Sequence, residues 1–94
     1  MKFKESKLTI EGEKIIVREL SAKQRGALFD LNNAKTNPVE IQTNIIQMGC
    51  PIYKDTSIDD IGDFPGTAVD DISKEILKVS GLGEESDEEA EKNS

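Results

Sequence analysis

Apolar and polar positions change rhythm near Leu20. Before it, Leu8-Thr9-Ile10 and Ile15-Ile16-Val17-Arg18-Glu19-Leu20 are short β-rich runs on either side of Glu11-Gly12-Glu13-Lys14. A glycine in a four-residue polar connection predicts a hairpin. Phe3 shares parity with neither Leu8 nor Ile10, so a further strand at the N-terminus is left open. After Leu20 the spacing becomes helical. Ser21 and Gln24 make a capping-box pattern, which opens a helix running to Asn32 or Asn33. Asn37-Pro38-Val39-Glu40 supplies an N-cap, a proline at the first helical position and an early glutamate. That helix should stop at Gly49, with Pro51 preventing its return.

The same pattern at Thr67-Ala68-Val69-Asp70 predicts a last helix, with Asp70 and Asp71 near its positive end and Lys78 near its negative end. Gly81 suits the left-handed position after it, with Leu82 folding back on Leu77. Between the second and last helices, Ser57-Ile58-Asp59-Asp60 starts a single helical turn that Phe64-Pro65-Gly66 breaks. The expected fold is therefore mainly α with an N-terminal β-hairpin (small α+β), of three helices and one short turn.

The helical stripes differ in kind. Val69, Ile72, Ile76 and Val79 form one stripe facing one partner. The first helix carries Ala27, Leu31 and Ala34 on one side, with Ala22 and Phe29 roughly opposite. The second carries Ile41, Ile45 and Met48, with Val39 and Ile46 on its other side. A helix apolar on both sides is either sandwiched within the monomer or buried at a subunit contact. On the first reading the hairpin and last helix cover the two sides. On the second, Phe29, Val39 and Ile46 line a partner or self-association surface.

Charge divides the chain. Residues 84–94 hold six acids, one lysine and Ala90 as the sole apolar residue, which accounts for five of the seven net negative charges. Such a segment cannot bury enough apolar surface to offset its ordering entropy, and predicts a disordered acidic tail after a single domain at 1–83. The domain itself is nearly balanced, with 13 acids and 11 bases. It has no basic stripe for nucleic acid. Nothing in it reads as a secretory leader or membrane span, so a cytoplasmic protein is expected.

Catalytic chemistry finds no foothold. The chain has no histidine, and its one cysteine, Cys50, has no base beside it and allows no internal disulfide. Asp55-Thr56-Ser57-Ile58-Asp59-Asp60 starts like a calcium loop, but Asp60 stands where glycine must turn and Gly66 where the bidentate glutamate belongs. No metal, cofactor or enzymatic activity is expected. With one tyrosine, three phenylalanines and no tryptophan, the core is modest, and oligomerisation is the expected staple.

The strand-to-helix junction Ile16-Val17-Arg18-Glu19-Leu20-Ser21, the helix end Ile76-Leu77-Lys78-Val79-Ser80-Gly81-Leu82 and the close Glu88-Glu89-Ala90-Glu91-Lys92-Asn93-Ser94 complete the pattern. With this element order, the chain resembles the tail assembly chaperones of long-tailed bacteriophages. The resemblance implies a non-catalytic protein that binds the tape measure protein and helps the major tail protein polymerise around it. It also implies work in the host cytoplasm and absence from the finished virion. Many such proteins are also made in a longer form by ribosomal frameshifting. Glu91, Lys92 and Asn93 sit where that slip would fall, since GAA-AAA-AAY would carry the slippery heptamer A-AAA-AAY. The alternative from another class is a small acidic regulatory inhibitor that sequesters a protein partner.

Overall fold

The computed structural model describes residues 1–82. Two antiparallel strands, β1 (Glu5–Ile10) and β2 (Glu13–Arg18), open the chain. The connection is tighter than expected. Glu11 (φ 50°) and Gly12 (φ 83°) alone make the turn, and Glu13 and Lys14 belong to β2. Two successive positive φ angles are the requirement of a type I′ turn, whose twist matches that of paired strands. The register pairs Leu8 with Ile15 and Ser6 with Val17 on the inner face, and Lys7 with Ile16 on the outer. Phe3 adds no strand: the sheet is two-stranded, and the Phe3 ring lies 5.5 Å beneath the Arg18 guanidinium.

Helix α1 (Ala22–Asn33) begins as its sequence implies. Ser21 Oγ accepts from Gln24 N–H, and Gln24 Oε1 accepts from Ser21 N–H, both halves of a capping box. Its rotation differs from the expected Ala27–Leu31–Ala34 stripe. Leu28 is its buried residue and Leu31 is half-buried, while Ala27, Ala34, Ala22 and Phe29 are exposed. The reason is tertiary: Gln24 also donates through Nε2 to the Met48 carbonyl at 3.2 Å. That bond turns the Gln24–Leu28–Leu31 face onto the second helix.

Helix α2 (Pro38–Gly49) is capped by Asn37, whose Oδ1 accepts from Val39 N–H at 2.8 Å. Its last residue is Gly49, as expected, but not because of a left-handed backbone. A β-carbon there would lie 2.5 Å from Ile76 Cγ2, so glycine is needed to let two helices touch. A short 3₁₀ turn (Pro51–Tyr53) and the one-turn helix α3 (Ile58–Gly62), capped by the Ser57 side chain, lead into α4 (Gly66–Val79). Helix α4 starts two residues earlier than Thr67 would allow as a cap. Pro65 holds the cap position and gives no side-chain bond. Asp70 and Asp71 consequently lie beyond the first turn.

The single stripe of α4 is the floor of the core. Val69, Ile72 and Ile76 are buried and Val79 is half-buried. They pack with Ile15, Val17, Leu20, Ile45, Ile46 and Ile61 into one cluster. The helix closes in a Schellman motif: Gly81 has φ 76°, Leu82 N–H donates to Leu77 C=O at 2.8 Å, and Gly81 N–H to Lys78 C=O at 3.0 Å. Ser80, buried at the cap, accepts from Leu20 N–H at 2.9 Å and donates to Ile76 C=O at 2.7 Å. One hydroxyl thus ties the end of β2 to the end of α4.

Candidate protein-binding surface

The three residues expected on a contact surface do not share one. Ile46 is fully buried, whereas Phe29 is 66% and Val39 57% exposed. The correction follows from the place of α2. This helix packs against α1, α3, α4 and the 3₁₀ turn, so the side bearing Ile46 is covered within the monomer. Val39 escapes because it sits on the first turn of α2, before the helix enters the core. Phe29 escapes because α1 has its Leu28 side against the fold and the Phe29 side outward. Phe29 and Val39 are thus the two of the three that are open to a partner.

A second feature was not legible as a site. A cleft of about 890 Å³ opens between β1, α2 and α4, with Leu8, Ile41, Ile45, Leu77 and Leu82 as its apolar lining. Ile41 and Ile45 belong to the stripe read from sequence, but nothing in the helical spacing places Leu8 of a strand opposite them. Lys74, Lys78, Asp70 and Glu75 also line it, so the wall carries both signs of charge. Several of these are already engaged. Lys74 Nζ lies 3.1 Å from Asp70 Oδ2, Gln42 Nε2 donates to Asp70 Oδ1 at 3.0 Å, and Ser6 Oγ donates to Glu75 at 2.6 Å. The hydrogen bond from the Lys74 ammonium, joined by that from Gln42, holds the Asp70 carboxyl below the usual carboxylate range.

Comparison with known protein families, with curated proteins and with solved structures finds no match to this chain.

Cys50 is buried, its thiol donates to Ile16 C=O at 3.6 Å, and burial pushes its pKa up to about 11. A thiol held protonated in this way is no nucleophile at neutral pH. Tyr53, stacked at a tilt on Phe64 with 5.0 Å between ring centres, is also raised. Desolvation is the first cause, followed by repulsion from Cys50 and Glu13. Among the described residues, no group of three His, Cys, Asp or Glu side chains is placed to hold a metal ion. Among them, too, no helix is long and apolar enough to cross a membrane. The acidic segment 84–94, with Glu91, Lys92 and Asn93, lies outside the described residues.

Proposed function

We propose that this chain is a tail assembly chaperone of a long-tailed bacteriophage. On this reading it holds the tape measure protein soluble in the host cytoplasm and promotes polymerisation of the major tail protein around it. It departs before the virion is complete. The observation that supports the reading is the pair of exposed apolar side chains, Phe29 on α1 and Val39 on the first turn of α2, in a hairpin-plus-helices domain. A partner that must be held and then released needs several weak apolar contacts, multiplied over copies of a small domain, in place of one tight pocket. The longer frameshifted product, with its slip at Glu91-Lys92-Asn93, belongs to the same proposal.

The test is co-expression with the tape measure reading frame. The wild-type chain should raise the soluble fraction of that protein, and the Phe29→Ser/Val39→Ser double variant should lose the effect. Both positions are exposed, so the variant's unfolding free energy should stay within about 0.5 kcal/mol of wild type. Failure of the wild type sinks the chaperone reading; success of both proteins moves the contact surface elsewhere. Expression with native downstream DNA, against a copy recoding Lys92-Asn93 as AAG-AAC, tests the longer product. Its band should vanish on recoding.

A further inference from the structure

The hairpin has two outer edges, and the rest of the fold treats them differently. The Glu11-Gly12 turn makes Ile10 and Glu13 a narrow, hydrogen-bonded pair. Narrow and wide pairs alternate from there. Glu5, Lys7 and Thr9 therefore aim their N–H and C=O groups away from β2, and Lys14, Ile16 and Arg18 aim theirs away from β1. Two further bonds confirm this phase. Glu19 N–H donates to Lys4 C=O at 2.8 Å, continuing the narrow pairs, and the Cys50 thiol reaches Ile16 C=O from outside β2. The β2 edge is thus met at Ile16, where α2 ends and the 3₁₀ turn begins, while among the described residues no outside bond reaches the backbone of Lys14 or Arg18. At the β1 edge, no hydrogen bond among the described residues reaches the backbone of Glu5, Lys7 or Thr9 from outside the hairpin.

We infer that this edge takes a second copy of the chain, β1 against β1, antiparallel about a twofold axis, giving a four-stranded sheet. Charge selects both occupant and register. Glu5 and Lys7 stand two residues apart on the outer face. Setting Glu5 opposite Lys7 of the second copy makes two Glu–Lys pairs across the axis, each a narrow pair exchanging two backbone bonds. Arg18, 3.5 Å from Glu5 on the other side, extends the row to alternate in sign from Arg18 to Glu5 to the second copy's Lys7. The same register brings Ser6 opposite Ser6 at the axis and places Phe3, half exposed, opposite Thr9. A twofold β1–β1 pairing uses the same edge of both copies, so this contact closes at two. This inference stands on the hairpin alone and is independent of the chaperone reading.

Sedimentation equilibrium of the full-length chain, from micromolar to millimolar concentration, tests it. A monomer–dimer equilibrium is expected, weakened about tenfold or more by Lys7→Glu, which removes both cross-axis pairs and sets like charges opposite. The swap Glu5→Lys/Lys7→Glu restores the cross-axis pairs while setting a like charge against Arg18, and should recover part of the association. Ser6→Cys should form a disulfide-linked dimer on oxidation, because a wide pair sets the α-carbons about 4.5 Å apart, within disulfide reach. Circular dichroism checks that each variant folds. A monomer at every concentration, or a dimer indifferent to Lys7→Glu, overturns the inference and leaves Lys7 as a charge that guards a bare edge.

Discussion

Lys35 ends the first helix in the left-handed region, with φ at 56°. Its N–H donates to Asn32 C=O and Thr36 N–H to Leu31 C=O, both at 3.3 Å, the bonds of a Schellman motif built without glycine. An L side chain there is strained by its own β-carbon. Lys35→Gly should therefore stabilise the fold by about 0.5–1 kcal/mol, net of the freedom glycine adds to the unfolded chain. A urea titration reads this directly, and a loss of stability would mean that the lysine side chain supplies a compensating contact. Ser80 is the opposite case. Removing its hydroxyl leaves Leu20 N–H buried without an acceptor, so Ser80→Ala should cost about 1–3 kcal/mol. An effect near zero in the same titration would mean that water replaces the hydroxyl.

At the scale of elements, the contact of α2 with α4 rests on a missing side chain. Gly49→Ala would gain helix propensity, but its methyl group would meet Ile76, which is fully buried. Overpacking outweighs propensity here, and a net loss of about 1–2 kcal/mol is expected. In an Ile76→Ala background the same change should cost little, so a double-mutant cycle tests whether that one contact is responsible. These contacts also explain how far the fold can be read from sequence. Ser21 with Gln24, Asn37 with Pro38, and Gly81 announce element ends because each has a local backbone task. The α4 stripe is legible because the helix has one apolar side. The orientation of α1 is not, since Gln24 reaches Met48 across the fold and makes Leu28 the inward residue. Nor is the fate of Ile46, because helical spacing shows that α2 has two apolar sides without showing which of them α3 and α4 cover. The cleft was hidden for the same reason: it joins Leu8 to Ile41 and Ile45 only once a strand and a helix are set beside one helix.

The core includes one buried thiol, and that makes the stability of the whole fold depend on alkaline pH. Cys50 sits where α2 ends, against β2, and burial raises its pKa from 9.0 to about 11. Between these values the unfolded chain releases the proton while the folded chain keeps it. The unfolded state then binds fewer protons, so stability falls as pH rises. The contribution is intact below about pH 9 and is lost through about pH 11, with a slope of up to about 1.4 kcal/mol per pH unit from one group. Tyr53 is raised as well, chiefly by desolvation, and adds in the same direction. Cys50→Ala should lower stability at neutral pH by leaving a small cavity, yet its unfolding free energy should decline less steeply from pH 8 to 10.5. The difference in slope, not the starting value, isolates the thiol. Parallel slopes in urea titrations of the two proteins would mean that the folded chain opens around Cys50 before it unfolds, and that this side of the core is looser than its packing implies.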